Sequence, residues 1–342
     1  MQRGRIWLTP DGPKPLDNLI TVGESLGFHS LTGQAPAAPP PAAAALDRAL
    51  AITPEGALAR LRDLRIAIVG ASGTGSLVAE LLMRAGAQNL VLGDDAVIED
   101  VNLGRMLYTS AEDADASAYK VDVLKDRLEA SGLGCRVDAI RANVLTAKGL
   151  DALRDSDVVF GCVDNSALAR IALSRYAYQF LRPYIDVGTE IGTDDDGDVV
   201  SLDARASFVA PGRPCLRCQG LIDPARLTLE TQSSEERQRV RDQGYSEHLY
   251  MAQPAVMDLN ARAASLGTII LRHLLQPVLE NPLALTYLEN LVMFTRRRIT
   301  SPLAPNDHCD ICRENPDFAR GQTASAGFQA LLSTAQPDGG QG

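Results

Sequence analysis

Asp94, Asn102, Arg105, Lys120 and Asp164 follow, in that order, a glycine loop that reads Gly70-Ala71-Ser72-Gly73-Thr74-Gly75. Glycines let a backbone approach a phosphate closely, and the free N–H groups where a helix begins favour an anion. A carboxylate roughly 20 residues past such a loop is placed to bind a ribose. Asp94, in the pair Asp94-Asp95, stands there. These two features would serve any adenine dinucleotide. The stretch Glu99-Asp100-Val101-Asn102-Leu103-Gly104-Arg105 and the later Lys120 add two cations that hydride transfer on nicotinamide does not ask for. Displacement at a phosphoryl group does, because charge grows on its oxygens and on the departing pyrophosphate. The set therefore points to ATP. The loop alone is a weak signal, since Ser72 holds the middle glycine position of G-x-G-x-x-G.

Local patterns supply the elements that must position these residues. Ile66-Ala67-Ile68-Val69 is an apolar run of strand length, the glycine loop breaks it, and Ser76 to Gly86 reads at helical period through Leu77, Leu81 and Leu82. A second strand, Asn89 to Gly93, delivers Asp94, and Lys120 opens a helix. A further strand, Asp157 to Cys162, ends in Val163-Asp164-Asn165 before a helix from Ser166. Asp164 is thereby placed at the carboxyl edge of an open α/β sheet, beside the crevice where ligands of such sheets sit. There it is a candidate magnesium ligand, and equally a candidate helix N-cap.

On these residues the chain from about Arg48 to Cys312 resembles the ThiF/MoeB/HesA adenylyltransferases, the superfamily that includes the ubiquitin-activating enzymes. The matching stretches are Arg65 to Gly70 with its loop, Asp94 through Arg105, Gly161-Cys162-Val163-Asp164-Asn165, Tyr184-Ile185-Asp186-Val187-Gly188, and two cysteine pairs. The resemblance implies an α/β, Rossmann-like adenylation fold: a mostly parallel sheet with helices on both faces, plus antiparallel strands near a four-cysteine zinc site. It implies that Gly70, Ser72, Gly73 and Gly75 cradle ATP, that Asp94 holds the ribose, and that Arg105 and Lys120 contact the phosphates. Asn102 would orient the triphosphate, and Asp164 would position magnesium and the attacking carboxylate. In the family an arginine upstream of the first strand reaches across a homodimer to the partner's ATP, and Arg48 stands at the matching place. Two departures stand out: Ala96 replaces the second acidic residue of an Asp-x-Asp pattern, and the interval from Arg105 to Lys120 is slightly long.

Four of the six cysteines form Cys215-x-x-Cys218 and Cys309-x-x-Cys312. Two such pairs supply four thiolates at tetrahedral zinc spacing, although they lie much farther apart than in a zinc ribbon. Disulfides are disfavoured in a reducing cytosol, and a redox pair would want one motif near a helix start. In the family the pairs meet in a structural zinc site that pins the far end of the sheet. His308, next to Cys309, is unneeded where four thiolates complete the shell. Ubiquitin-activating enzymes and some sulfur-mobilising relatives carry a nucleophilic cysteine in the crossover segment after the first pair, but Gln219 to Pro254 contains none. Cys135 and Cys162 read as buried structural thiols. Adenylation is thus the expected step, and an enzyme-bound thioester is not.

The expected organisation is an N-terminal arm over residues 1–33 with one strand, Arg5 to Thr9, and too little apolar content for a core; a Pro/Ala-rich linker at 34–45; an adenylation domain at 46–315 with a crossover loop at 219–254; and a disordered tail at 316–342. Asp194-Asp195-Asp196-Gly197-Asp198 lacks the later ligands of a calcium loop and reads as a hairpin turn. Ala255 to Leu275 reads as a long helix, its apolar side a core or dimer face.

With 33 basic and 43 acidic residues, the net charge of −10 argues against nucleic acid. No apolar run is long enough to span a membrane, and cytoplasmic placement is expected. The four histidines are scattered and form no hydrolase cluster. The reading that follows is ATP-dependent adenylation of the C-terminal carboxylate of a small ubiquitin-like protein, in a bacterial conjugation system with a downstream conjugating enzyme. Activation of a sulfur-carrier protein is the near alternative. A non-catalytic scaffold that binds a modifier, and a nicotinamide oxidoreductase, are readings of other classes.

Overall fold

Short apolar runs, buried on both faces, form the centre of the protein because each is flanked by residues that end a strand. The computed structural model describes residues 8–9, 12–13, 18–23, 25–30, 55–164, 166–194, 196–232, 236, 239, 256–279, 283–300 and 304–321. Two small antiparallel ladders come first, β1 (Leu8–Thr9) with β2 (Gly12–Pro13) and β3 (Asn18–Val22) with β4 (Leu26–Ser30). The nucleotide half follows as α1 (Glu55–Asp63), β5 (Arg65–Val69), α2 (Gly73–Ala85), β6 (Asn89–Gly93), α3 (Asp100–Leu103), α4 (Ala111–Asp115), α5 (Lys120–Glu129) and β7 (Arg136–Ile140). The remainder is α6 (Ala147–Ala152), β8 (Val158–Gly161), α7 (Ala167–Phe180), β9 (Tyr184–Thr193), β10 (Val199–Val209), α8 (Pro224–Thr231), α9 (Met257–Leu275), β11 (Thr286–Asn290) and β12 (Thr295–Ile299).

One eight-stranded sheet, in the order β12-β11-β10-β9-β8-β5-β6-β7, organises the rest. From β7 to β9 every pairing is parallel; from β9 to β12 every pairing is antiparallel. Alternation along the strands gives two cores. Ile66, Ile68, Leu90, Leu92, Phe160 and Val187 face a layer built from α1, α2, α5 and α9. Ala67, Val69, Val91, Val159 and Tyr184 face α6, α7 and the paired cysteines. This is the mixed α/β sheet with helices on both faces expected from the sequence, and the turn through Asp194 and Gly197 joins β9 to β10 as a hairpin.

Four expectations change. The helix after the glycine loop begins at Gly73 rather than Ser76, so the loop's last three residues are its first turn, and Gly86 ends it in the left-handed conformation (φ 107°). The N-terminal arm does bury apolar surface: Leu26 is 3% exposed, Ile20, Val22 and Phe28 pack on the first core, and the Arg60 guanidinium lies 5.1 Å from the Phe28 ring centroid. Burying Leu26 alone is worth about 2 kcal/mol. The packed chain also runs past residue 315, since Ala319 and Gly321 donate backbone hydrogen bonds to Tyr178 and Gln179. The segment after Cys218 contains a helix, α8, before the described residues thin out. The linker at 34–45, Arg48 and the tail beyond 321 lie outside the described residues.

Candidate nucleotide site and cysteine centre

The glycine loop is tight enough to exclude side chains. A Cβ on Gly70 (φ 92°) would sit 2.4 Å from the Cys162 carbonyl oxygen, one on Gly75 would sit 1.8 Å from the Gly70 oxygen, and one on Gly73 would sit 2.5 Å from Asn260 Nδ2. β5, β8 and α9 therefore converge on the loop. The head of α2 has no acidic side chain in its first turn, and the Ser72 hydroxyl, buried at the N-cap, has no partner among the described residues. Unsatisfied N–H groups, the helix dipole and an orphaned hydroxyl together fit an anion.

Asp94 closes the loop from β6. One carboxylate oxygen accepts from the Ala71 N–H at 2.7 Å and the other from the Ala96 N–H at 2.9 Å. Each oxygen keeps a lone pair for a ribose hydroxyl. Asn102 is buried and accepts from the Glu99 N–H at 3.0 Å, which fixes the turn of α3. Its own carbonyl accepts from the N–H groups of Arg105 and Met106 at 3.0 and 2.9 Å, and that aims Arg105 back at the loop. Arg105 Nη1 stands 4.0 Å from Asp164 Oδ2, while its Nε is buried with no partner among the described residues. Lys120 is buried at the head of α5, tied by its backbone to Ala96, and its ammonium has no carboxylate partner among the described residues. A lysine whose stem is buried and whose ammonium meets no carboxylate is placed to receive an anion.

Asp164 itself is 67% exposed at the end of β8 and free to meet a ligand. The loop that carries it is braced twice. Arg170 donates to the Val163 carbonyl at 3.3 Å, and Glu230 of α8 accepts from the Ser166 hydroxyl and from the N–H groups of Ala167 and Leu168 at the head of α7. Beneath it Asp186, fully buried, accepts from Arg205 at 2.6 Å, the Tyr184 hydroxyl at 2.7 Å and Arg170 at 3.3 Å. Burial pushes the Asp186 carboxyl up, but Arg170 and Arg205 outweigh it and the net shift is downward. Cys162 lies beside this network, buried, its thiol pushed well up by burial and then by Asp186 and Asp164. Burial likewise raises Cys135 to about 11. Neither is a ready nucleophile.

At the opposite end of the sheet the two cysteine pairs meet. All four sulfurs lie within 4.8 Å of one another, with Cys215 to Cys309 and Cys218 to Cys312 both at 3.6 Å. Zinc–sulfur bonds of about 2.3 Å in a tetrahedron set the sulfurs about 3.8 Å apart, so the thiols fit zinc. The Asn306 N–H donates to Cys218 Sγ at 3.4 Å, and Asp310 pairs with both Arg175 and Arg217 around the cluster. His308 stays outside, exposed and bonded to Glu314.

Residues 46–311 match the ThiF family. The chain belongs to that family. Among curated ThiF-like relatives, ubiquitin-like modifier-activating enzyme 5 of Caenorhabditis elegans is 26% identical over 171 residues, which cover 46% of this chain and 38% of that protein. The adenylyltransferase and sulfurtransferase uba4 of Aspergillus fumigatus is 29% identical over 159 residues, covering 46% and 31%. The chain thus spans less than half the length of the curated relatives it matches. Among solved structures, E. coli MccB with ATP shares the fold at a TM-score of 0.57 and 19% identity, over 75% of this chain and 68% of that one.

Within the ThiF frame the structure gathers Gly70, Ser72, Gly73, Gly75, Asp94, Asn102, Arg105, Lys120 and Asp164 around the carboxyl ends of β5, β6 and β8. Arg48 falls outside the described residues. Sequence reading missed several supports. Ser76 donates to the Gly73 carbonyl and accepts from the Leu107 N–H, and Asn260 accepts from the Thr74 hydroxyl across from α9. Glu230, Arg170 and Arg205 brace the Asp164 loop from remote segments, and no local spacing announces them.

Proposed function

We propose that this ThiF-family protein is an ATP-dependent activating enzyme that adenylates the C-terminal carboxylate of a small ubiquitin-like protein and releases pyrophosphate. The observation that carries the reading is the approach of Arg105 to Asp164 at 4.0 Å beside an α2 head with no anion of its own. Asp94 takes the ribose. The α2 head, Arg105 and Lys120 take the phosphates, and Asn102 holds the Arg105 turn in place. A carboxylate oxygen attacks the α-phosphorus, the new O–P bond forms, and the bond to the β-phosphate oxygen breaks with pyrophosphate carrying the charge. Cations fixed beforehand stabilise that charge without reorganising. Asp164 would hold magnesium, and the ion would supply charge neutralisation at the phosphates.

Zinc in the Cys215, Cys218, Cys309, Cys312 tetrad would be structural, because four thiolates leave no open position. The activated carboxylate passes to a thiol on another protein, a conjugating enzyme or a sulfur donor, since the buried Cys162 and Cys135 are unsuited to a thioester. A homodimer has a fitting surface in a groove of ≈ 530 Å³ among α1, α2 and α9, lined by Leu61, Leu81, Ile269 and Val278. The family resemblance would have Arg48, which lies outside the described residues, act on the partner copy's ATP. No helix among the described residues is long and apolar enough to cross a membrane, in keeping with work in a bacterial cytoplasm.

The test is to incubate the protein with ATP and the small proteins encoded beside it and weigh the products. A carrier–AMP adduct is expected, with pyrophosphate released in step. Tight ATP binding with no adduct from any carrier would point instead to a scaffold.

A further inference from the structure

Three asparagines are buried among the described residues, Asn102, Asn260 and Asn315. Asn315, close to Cys312, uses both ends of its amide: Nδ2 donates to the Ile311 carbonyl at 3.0 Å, and Oδ1 accepts from the Asp317 N–H at 2.9 Å. Asn102 and Asn260 stand at the nucleotide site, and each meets a described partner through its oxygen alone. Buried polar groups are paired almost without exception, and an unused donor is costly away from water. The two amides that break the rule are both beside the glycine loop.

Packing does not account for Asn260. It heads the buried stripe of α9, followed at helical spacing by Ala263, Ala264, Gly267 and Ile270, and that stripe seats the helix on α2, β9 and β10. Every other member is apolar or small, and an alanine or leucine would serve as well at the first position. The asparagine is nevertheless 3% exposed. Thr74, in the first turn of α2 and 186 residues earlier in the chain, donates its hydroxyl to Asn260 Oδ1 at 3.3 Å. That bond turns the nitrogen towards the loop. A Cβ built on Gly73 would meet Asn260 Nδ2 at 2.5 Å and the Arg105 carbonyl oxygen at 3.0 Å. The unused N–H groups therefore lie between the first residue of α2 and the turn that carries Arg105.

We infer that Asn260 is a phosphate-binding residue of the nucleotide site, its Nδ2 donating to a phosphate oxygen of ATP while Thr74 holds the amide in that orientation. The inference rests on the adenylation reading of the same site. An amide suits the position because it offers an N–H to a phosphate and an oxygen to Thr74 at once. A carboxylate there would keep the bond to Thr74 but set a negative charge against the phosphate. An apolar side chain would fill the space and bind neither. The contact also makes α9 a wall of the nucleotide site, so that the phosphates are held from β5, β8 and a helix remote in the chain.

The test titrates ATP and, separately, adenosine into the full-length wild type, Asn260→Leu, Asn260→Asp and Thr74→Val, with a melting curve for each. The Kd for ATP is expected to rise about tenfold in Asn260→Leu, the worth of one hydrogen bond to a charged acceptor. It should rise further in Asn260→Asp and severalfold in Thr74→Val. The Kd for adenosine, which has no phosphate, stays at the wild-type value throughout. Asn260→Asp keeps its melting temperature, because an acid beside the α2 head suits the helix dipole. Equal losses for ATP and adenosine would assign Asn260 to packing of the loop and overturn the inference. Unchanged ATP binding in a folded Asn260→Leu would overturn it too, and a raised KM for the carrier alone would hand the amide to the carrier's carboxylate instead. Each of these leaves the adenylation reading standing. A wild type that binds NADH and not ATP overturns both. Thr74→Val, nearly the same shape as the native residue, keeps the question answerable if Asn260→Leu fails to fold.

Discussion

The two ends of the sheet solve opposite problems. At the carboxyl edge, Asp164 is exposed, the Arg105 head is partly open, the buried Ser72 hydroxyl has no partner among the described residues, and the Lys120 ammonium meets no carboxylate among them. At the other end, Cys215, Cys309 and Cys312 are buried, and hydrogen bonds from the backbone and ion pairs around Asp310 enclose the cluster. An unpaired charge or donor destabilises the folded chain, so it persists where a ligand satisfies it. Zinc in the cysteine tetrad would leave no open position for a visitor. The first end therefore trades stability for chemistry, and the second supplies stability to a half whose antiparallel strands lack the two-sided cover of the parallel ones.

Removing one cysteine tests the closed end hardest. Cys215→Ser is expected to lose zinc, measured by metal analysis as one ion per chain in the wild type. Stability should fall by more than about 4 kcal/mol in denaturant titration, because structural zinc binding is folding free energy. A variant that holds no zinc and unfolds at the wild-type midpoint would show that zinc does not fasten this end. The open end should respond in the reverse sense. Asp164→Ala is expected to lower carrier-dependent ATP–pyrophosphate exchange about a thousandfold, roughly 4 kcal/mol of transition-state stabilisation, with the melting temperature unmoved because the side chain is mostly in water. Exchange at the wild-type rate would remove Asp164 from the site.

Sequence made the short-range parts of both ends legible. The glycine loop, Asp94, the Asn102 to Arg105 turn and the C-x-x-C pairs each lie within a few residues, and their spacing is fixed by one strand, one turn or one helix start. The supports were illegible because they join distant segments. Glu230 reaches Ser166, Ala167 and Leu168 from α8, and Asp186 gathers Arg170 and Arg205 from a helix and a neighbouring strand. Leu26 belongs to a hairpin with a period-two pattern too brief to predict a core, and it is buried only because α1 and the first core offer it a surface. The start of α2 is illegible for a related reason: glycine propensity argues against a helix, yet the Gly70 carbonyl leaves no room for a side chain at Gly75, and Asn260 of α9 and the Arg105 carbonyl crowd Gly73.

Between the two ends lies the Asp186 network, which links the Asp164 loop through Arg170 to β10 through Arg205 and to the second core through Tyr184. Asp186→Asn keeps the shape but leaves two guanidinium groups sharing no negative charge in a buried position. A loss of about 3 kcal/mol is expected, less than for the tetrad. The pH dependence carries a sign that a packing defect would not. The folded carboxyl titrates below its unfolded counterpart, so its stabilisation is fully present above about pH 4 and is lost as the pH falls through the folded value. The wild type should therefore lose stability steeply below about pH 4, and Asp186→Asn should show a flatter acid limb in unfolding experiments run across that range. Parallel acid limbs would mean that Asp186 is protonated in the folded chain, and the network would then be a polar core contact rather than the charged brace that ties the reactive edge to the closed end.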